Sequence, residues 1–241
     1  MECKVMGIVN ITPDSFSDGG KFYRPEEAVR RIKNLIGEGA DIIDIGAEST
    51  RPGATPLDWR DEWARLEPVL RLLSGSVPTS DLGSVPISVD TYHPETAERA
   101  LALGAKIINC VYEYPVLDML QICRKKGAEL IFPAKSLGSV PIADLGSVPT
   151  YIDPMIGFGT TREEDVELLR SLPELARRGR VLVGASRKRI VKKLVGVKTP
   201  GKDIAGNLAI ALFAAMNGAS AVRVHDVKET VQALRVLKAL Q

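Results

Sequence analysis

Polar and charged residues stand at the ends of most short apolar segments in this 241-residue sequence. Carboxylates, amides and cations all occur among them, and such groups bind heteroaromatic rings and anions through hydrogen bonds. Segments with a purely structural role would not need a polar residue at so many ends, so we interpret the set as a binding site. Its members are Asn10, Asp44, Asp90, Asn109, Asp153, Ser186, Arg187, Lys188, Arg223 and His225, together with Glu48-Ser49-Thr50-Arg51.

The acidic and amide members predict a pocket for a flat polar ring. Asp90 and Asp153 supply hydrogen-bond acceptors, and Asn109 adds an amide. One carboxylate can accept from both an exocyclic amine and a neighbouring ring N–H, which is the pattern on the edge of an amino-pyrimidine.

The basic members predict a second pocket, for a polyanion. Arg51, Arg223, His225 and Asn10 supply donors, and the planar fork of arginine matches phosphate oxygens. A ring pocket beside an anion pocket indicates a substrate with a diphosphate leaving group. The polar, glycine-ended stretch from Thr12 to Gly20 predicts a mobile cover for the site.

Apolar runs and longer amphipathic stretches alternate, and this alternation indicates how the residues are positioned. We predict strands at 5–10, 41–46, 87–90, 107–109, 129–132, 151–153, 181–184 and 221–224. The predicted helices cover 25–38, 59–73, 94–103, 116–126, 162–169, 203–216 and 228–240. Eight strands in continuous βα alternation predict an α/β protein with a (β/α)₈ TIM barrel, and a doubly wound sheet is the alternative. A barrel of this kind takes about 250 residues, so we expect one domain over residues 1–241.

The connection between predicted strands five and six breaks this rhythm. Residues 133–150 contain no amphipathic helix, so the barrel helix there is expected to be shortened or missing. The hexapeptide Asp-Leu-Gly-Ser-Val-Pro occurs at 81–86 and again at 144–149, and its Leu-Gly-Ser-Val-Pro core recurs at 137–141. We interpret the copies as sequence slippage in loops that tolerate insertion. A duplicated half-barrel unit is the alternative interpretation.

The composition argues against several classes of protein. The 32 basic and 30 acidic residues leave a net charge of only +2, so attraction of nucleic acid by the whole surface is not expected. No run approaches the ~18 apolar residues that would span a membrane. The N-terminus lacks the apolar region of a secretory signal, and the three cysteines form no CxxC pair. We therefore expect a cytoplasmic protein that binds small molecules.

Two long motifs resemble the signatures of the dihydropteroate synthase family. The first runs from Met6 to Gly20 and the second from Gly39 to Gly53. Shorter matches follow in the order in which the family has them, up to residue 226: Ser88-Val89-Asp90-Thr91, Ile107-Ile108-Asn109, Asp153-Pro154, Gly157-Phe158-Gly159, Gly184 to Lys188 and Arg223-Val224-His225-Asp226.

The resemblance implies a reaction and a role for each matched residue. The family joins 6-hydroxymethyl-7,8-dihydropterin diphosphate to p-aminobenzoate, and the members are homodimers that use Mg²⁺. The implied catalytic residues are Asp90, Asp153, Lys188, Arg223 and His225. The pterin would be bound by Asp90, Asn109, Asp153 and Lys188. The diphosphate would be bound by Asn10, Arg51, Arg223 and His225, with Mg²⁺ near Asn10. The p-aminobenzoate site would be lined by Thr50, Pro52, Phe158 and Ser186.

Four features depart from the family pattern. Cys110 stands where aspartate is usual, Met155 where glycine is usual and Thr160 where lysine is usual. The stretch 132–151 is shorter than in the family, and we expect its missing helix to leave apolar flanks of strands five and six for a subunit partner to cover.

These departures leave other functions open. The same chemistry with a different arylamine, as in methanopterin-type pathways, is one alternative. A pterin-dependent methyltransferase is another, although it would not need the basic motifs at 186–188 and 223–225. A third is a pterin-binding homologue without catalysis. Outside the motifs, His93 precedes Pro94 and is expected to cap a helix or face solvent.

Overall fold

Eight parallel strands form a closed barrel in the order in which they occur along the chain. Strand β1 pairs with β2 on one side and with β8 on the other, which closes the sheet. This confirms the predicted TIM barrel and excludes the doubly wound sheet. The strands are β1 (Lys4–Asn10), β2 (Ile42–Gly46), β3 (Ile87–Asp90), β4 (Ile107–Asn109), β5 (Glu129–Pro133), β6 (Thr150–Asp153), β7 (Arg180–Val183) and β8 (Ala221–Val224).

The structure is a computed structural model that describes residues 3–12, 24–48, 55–75, 84–138, 146–197 and 202–241. Three predicted site residues, Thr50, Arg51 and Pro52, lie outside the described residues. Most of the predicted cover, from residue 13 onward, also lies outside them.

Helices follow the strands on the outside of the barrel. They are α1 (Pro25–Gly37), α2 (Trp59–Gly75), α3 (Pro94–Ala102), α4 (Val116–Lys126), α5 (Arg162–Arg170), α6 (Leu172–Ala176), α7 (Arg189–Val195), α8 (Ile204–Met216) and α9 (Val227–Leu240). Helices α6 and α7, of five and seven residues, were not predicted. Both segments are too short to show a helical period in the sequence. The basic residues of α7 also resemble those of a solvent-exposed surface.

Local sequence explains where several helices begin and end. Proline occupies the first turn of α1 and of α3, where its missing N–H costs nothing. Thr161 and Glu164 form a reciprocal capping box at the start of α5. Gly127 ends α4 in the left-handed conformation, with φ of 64°. In the described part of the chain, no helix is long and apolar enough to span a membrane.

The connection between β5 and β6 contains a 3₁₀ helix, Ala134–Gly138, and no α-helix in its described residues, as expected. The expectation that apolar flanks of these strands would be uncovered is wrong. Phe132 on β5 and Ile152 on β6 are 0% and 3% exposed. Val148 is buried in the same core, and Leu137 packs against it. Apolar residues of the Leu-Gly-Ser-Val-Pro copies therefore contribute to the core on this side of the barrel.

An apolar layer fills the lower interior of the barrel. Seven side chains, one from most of the strands, form a buried cluster separate from the larger core between strands and helices: Met6, Ile42, Ile107, Ile131, Tyr151, Leu182 and Ala221. Because side chains alternate along a strand, the residue two positions farther on also points inward. This periodicity determines what lies above the layer, at the carboxyl ends of the strands.

Helices α7 and α8 pack closely at Gly206. A Cβ atom there would overlap the side chain of Val195 and lie 2.8 Å from Cγ1 of Val191. We expect Gly206→Ala to lower the free energy of unfolding by about 1–3 kcal/mol, because the packed helices must separate. Gly37→Ala is the matched control, since its Cβ would meet nothing within 4 Å. Thermal denaturation of both variants checks this, and an equal melting temperature for the two would contradict the packing argument.

Candidate active site at the barrel mouth

Two-residue spacing places a polar layer directly above the apolar one. Asp44 lies two residues after Ile42, Asn109 after Ile107, Asp153 after Tyr151 and Arg223 after Ala221. Asp90 follows Ser88 in the same way, and Ser88 is paired in register with Asp44. The upper interior of the barrel is therefore lined with charge, at the face where TIM-barrel active sites occur.

The guanidinium of Arg223 lies between two carboxylates of this layer. Its Nε donates to Oδ2 of Asp44 at 2.6 Å, and its Nη2 donates to Oδ2 of Asp90 at 2.7 Å. Asn109 Nδ2 also donates to Oδ2 of Asp44, at 3.1 Å. Asp44 is fully buried, and the side chains of Arg223 and Asp90 are 18% and 14% exposed. Strands β2, β3, β4 and β8 are thus joined by one ionic network.

Burial determines how the carboxyl groups titrate. It raises the pKa of Asp90 to about 7, with a further rise from Asp44, although the charges of Arg223 and Lys188 oppose the change. Burial also raises the pKa of Asp153, against the opposing charge of Lys188. For Arg223, burial alone would lower the pKa, but Asp44 and Asp90 raise it, so the guanidinium stays charged.

Lys188 follows β7, the neighbour of the Arg223 strand, and lies at the start of α7. Its Nζ donates to the carbonyl oxygen of Ile156 at 2.6 Å and lies 4.2 Å from the centre of the Phe158 ring. Burial lowers the pKa of Lys188 to about 8, and Asp153 opposes that shift. The charge of Asp153 acts on the Lys188 amine, and the same amine lies over the ring of Phe158. Lys188 therefore connects the predicted ring pocket, which contains Asp153, with the predicted arylamine pocket, which contains Phe158.

The β6–α5 loop (residues 154–161) contains two of the departures from the family pattern, Met155 and Thr160, and each is hydrogen-bonded to a nearby aspartate. Met155 takes the left-handed conformation, with φ of 64°, and its N–H donates to Oδ1 of Asp153 at 2.7 Å. Thr160 donates its hydroxyl to buried Asp165, which also accepts from the N–H of Gly157 at 2.7 Å. Asp165 thereby fixes the loop that presents Phe158.

The basic end of the site forms through contacts between the ends of β7 and β8. The hydroxyl of Ser186 is 3.1 Å from Nδ1 of His225 and accepts from the His225 N–H at 3.3 Å. The neighbouring Arg187, which the sequence listed among the polar strand-end residues without assigning it to either pocket, pairs with Asp226 at 2.6 Å.

The structure brings most of the described predicted residues together at the barrel mouth. The sequence assigned Arg223 to the anion pocket by its charge, and in the structure its guanidinium also contacts Asp44 and the ring-pocket residue Asp90. Asp44 was noted only as a strand end, and its two-residue spacing from Ile42 was the signal for an inward role. Buried Glu62 was missed because it follows Asp61 in a helix and resembles a surface charge. Burial raises the pKa of Glu62 to about 7.

Asn10 is the residue that the family resemblance places near a divalent cation. The described residues contain no cluster of three or more His, Cys, Asp or Glu side chains that could enclose a metal ion. Asn10 ends β1 in register with Gly46, and its amide oxygen is a suitable hard ligand. Mg²⁺ commonly takes one or two protein ligands and completes its shell with substrate phosphates and water. Asn10 fits an ion that arrives with a phosphorylated substrate.

Removing the guanidinium tests the ionic network. We expect Arg223→Met to lower the free energy of unfolding by about 3–5 kcal/mol at pH 8, because Asp44 and Asp90 would remain buried without a cation. The loss should be smaller at pH 5, since Asp90, with its pKa of about 7, is protonated there and needs less compensation. Urea denaturation at both pH values measures the difference. An equal loss at pH 5 and pH 8 would show that the ion pairs are not what Arg223 contributes.

Comparison with known proteins gives a consistent result. The family model described as "Pterin binding enzyme" matches residues 6–137 and 142–225. The dihydropteroate synthase of Neisseria meningitidis serogroup C is 38% identical over 268 residues, which cover 98% of this chain and 92% of that protein. The solved structure of Xanthomonas albilineans dihydropteroate synthase with 4-aminobenzoic acid has a TM-score of 0.90 and 38% identity, and the match covers 100% of this chain and 93% of that one. The dihydropteroate synthase of Anaplasma phagocytophilum with bound 6-hydroxymethylpterin-monophosphate has a TM-score of 0.88 and 31% identity, with 100% of both chains covered.

Proposed function

This chain belongs to the dihydropteroate synthase family of pterin-binding enzymes, and from that premise we propose how its residues divide the reaction. The enzyme condenses 6-hydroxymethyl-7,8-dihydropterin diphosphate with p-aminobenzoate and releases 7,8-dihydropteroate and diphosphate. The observation that carries the assignment of residues is the buried layer of carboxylates, with Arg223 between Asp44 and Asp90, at the carboxyl ends of the strands. We take residues 1–241 as one pterin-binding domain.

Asp90, Asn109, Asp153 and Lys188 bind the pterin in this proposal. The two carboxylates accept from the exocyclic amine and ring N–H groups, and Lys188 donates to the acceptor atoms of the ring. Oδ2 of Asp90 accepts a hydrogen bond from Arg223, so the carboxylate is fixed in position before the pterin ring binds. Such preorganised charge is more effective in a site that excludes water than in solution.

Asn10, Arg51, Arg223 and His225 bind the diphosphate. Arg223 uses its Nε and one Nη2 hydrogen on Asp44 and Asp90, which leaves further N–H groups for phosphate oxygens. His225 follows β8, and its ring is oriented by the hydroxyl of Ser186, which follows β7. Mg²⁺, when bound through Asn10 and the diphosphate, would neutralise part of the charge on the leaving group.

Bond breaking is followed by attack of the arylamine. The C–O bond between the exocyclic methylene and the diphosphate breaks, and the diphosphate leaves with the electron pair while Arg223 and His225 stabilise its charge. Asp90 and Asp153 favour the cationic pterin that remains. The amine nitrogen of p-aminobenzoate then forms the new N–C bond and loses a proton to solvent. Thr50, Pro52, Phe158 and Ser186 line the arylamine site, and the stretch from Thr12 to Gly20 closes over it.

A homodimer in the cytoplasm is part of the same proposal. Large apolar side chains are exposed on α8 and α9, where a second copy of the chain would cover them: Phe213, Met216, Val236 and Leu240. The three cysteines are unpaired thiols, which suits a reducing compartment.

Turnover by the purified chain tests the proposal. Diphosphate release is measured after mixing the protein with 6-hydroxymethyl-7,8-dihydropterin diphosphate, Mg²⁺ and p-aminobenzoate. We expect release that depends on p-aminobenzoate and yields 7,8-dihydropteroate. Release that requires a different arylamine would show that p-aminobenzoate is not the second substrate. Tight pterin diphosphate binding without any release would indicate a homologue that binds but does not catalyse.

The raised pKa of Asp90 predicts how pterin affinity depends on pH. The carboxylate must be ionised to accept two hydrogen bonds, so binding should weaken as the pH falls through about 7. Between pH 8 and pH 6 we expect the affinity for the pterin diphosphate to fall about tenfold, since each pH unit below a pKa removes most of the ionised form. Charging of Lys188, with its pKa of about 8, offsets this by about twofold at most.

Isothermal titration calorimetry at the two pH values gives the dependence, and Asp90→Asn is the matched control. The variant should bind more weakly at pH 8 and lose most of the dependence. A wild-type affinity that is equal at pH 6 and pH 8 would mean that another group accepts from the pterin amine.

A further inference from the structure

Side chains connect the ends of β7 and β8 at the barrel mouth. The pairing of these two strands ends at Val183 and Val222, so the residues that follow lie above their shared ladder. One connection there is the contact between Ser186 and His225, whose Oγ and Nδ1 atoms are 3.1 Å apart. Another is a hydrogen-bonded network of three residues, the Asn207 network, which consists of Arg187, Asn207 and Asp226.

Asn207, near the start of α8, lies at the centre of this network. Its Oδ1 accepts from the backbone N–H of Arg187 at 3.0 Å, and its Nδ2 donates to Oδ2 of Asp226 at 3.2 Å. The guanidinium of Arg187 closes the network, since its Nη2 donates to Oδ1 of Asp226 at 2.6 Å. Asn207 and Asp226 are 6% and 9% exposed, so water competes little for these hydrogen bonds. One amide therefore joins the residues after β7 to those after β8.

The turn after β7 (residues 184–188) has a backbone that needs such support. Arg187 takes the left-handed conformation, with φ of 59°, which residues other than glycine rarely adopt. A strained conformation of this kind persists only where its surroundings hold it, and it is common at functional sites. The hydrogen bond from the Arg187 N–H to Asn207 holds the turn from outside. Without that bond, we expect the turn to relax.

A residue assigned to the substrate stands next to the network on each side. Lys188 directly follows Arg187 and is assigned to the pterin, and His225 directly precedes Asp226 and is assigned to the diphosphate. The C–O bond that breaks joins these two parts of the substrate. The distance between Lys188 and His225 must therefore match the distance between the pterin ring and the diphosphate.

We propose that Asn207 and Asp226 are positioning residues that set the spacing between Lys188 and His225. This inference rests on the proposed function, because the roles of Lys188 and His225 are assigned there. A ligand with two linked parts gains affinity from the linkage only when both sites fit its span. The rate is also sensitive to the spacing, because a misplacement of about 1 Å can slow a reaction about 100-fold.

The intact substrate and its separate parts should respond differently to loss of the network. The pterin alone needs only the pterin residues, and diphosphate alone needs only the anion residues, so neither depends on the spacing between the two groups. The pterin diphosphate contacts both groups at once and does depend on it. A general loss of stability would not distinguish the linked substrate from its parts.

The experiment exchanges the partners within the network. Asn207→Asp places two carboxylates about as far apart as the 3.2 Å of the present hydrogen bond, and Asp226→Asn removes an acceptor that either Asn207 or Arg187 needs. The double variant, Asn207→Asp with Asp226→Asn, can form all three hydrogen bonds again with the same total charge. Its new carboxylate accepts from the Arg187 N–H and from the new amide, whose oxygen accepts from the Arg187 guanidinium.

Calorimetry and the turnover assay, both with the full chain and Mg²⁺, give the result. We expect each single variant to bind the pterin diphosphate about tenfold more weakly and to have a kcat about 10- to 100-fold lower. The affinities for 6-hydroxymethyl-7,8-dihydropterin and for diphosphate should each stay within about twofold. The double variant should recover both the affinity and kcat to within about threefold.

Two further variants complete the set. Asn217→Asp makes the same change at the other end of α8, where the side chain donates to the carbonyl oxygen of Phe213, and it should match the unaltered protein. Arg187→Met removes the guanidinium from the network and introduces no charge, and that side chain is 37% exposed. This variant should fold even where a single exchange does not, and it should weaken binding of the intact substrate but not of its parts.

Other outcomes would overturn the proposal. If the variants lose affinity equally for the intact substrate and for its two parts, or if neither kcat nor any affinity changes, the network does not set the spacing. A double variant that is folded by thermal denaturation but recovers nothing would also show that the proposal is wrong. In each of these cases normal turnover by the unaltered chain leaves the proposed function standing. If the unaltered chain forms no dihydropteroate, the proposed function fails, and the role of the Asn207 network fails with it.

Discussion

A single guanidinium joins two buried carboxylates at the mouth of the barrel, and the arrangement of the site depends on it. Asp44 and Asp90 lie on adjacent strands and would repel each other without the cation between them. Isolating either charge from water would cost several kcal/mol, so the three groups form a unit that is favourable only when complete. Their presence directly above an apolar layer of the barrel points to a functional reason for the charges.

The network also determines the chemistry available above it. Asp90 is held in place by Arg223 and yet keeps a raised pKa because it is buried, so the carboxyl can exchange a proton near neutral pH. Lys188 has the complementary property, a lowered pKa beside Asp153. Asp90 and Lys188 can therefore change their charge near neutral pH when the pterin becomes positively charged on loss of diphosphate. The protein needs no nucleophile of its own for this reaction, and its contribution is electrostatic and positional.

The sequence predicted the strands and the longer helices because their periods are clear, and the motifs placed most site residues at strand ends. It did not predict contacts between side chains that lie on different strands and helices. Arg223 was grouped by its charge with the anion ligands, and its contacts with Asp44 and Asp90 were not predicted. Glu62 could not be recognised, because only the packed structure shows that this helical glutamate is buried against Thr91. The cover that Val148 and Leu137 give to β5 and β6 was likewise invisible, since a short irregular segment has no period to detect.

A preorganised layer of charge at the carboxyl ends of the strands is proposed to recognise the pterin. A crystal structure of the chain with bound 6-hydroxymethyl-7,8-dihydropterin diphosphate would show whether it does. We expect the amino-pyrimidine edge of the ring to contact Asp90 and Asp153, while Arg223 still bridges Asp44 and Asp90 and the diphosphate lies toward His225 and Asn10. A ring bound away from Asp90 and Asp153, or an Arg223 released from both carboxylates, would rule out this mode of recognition.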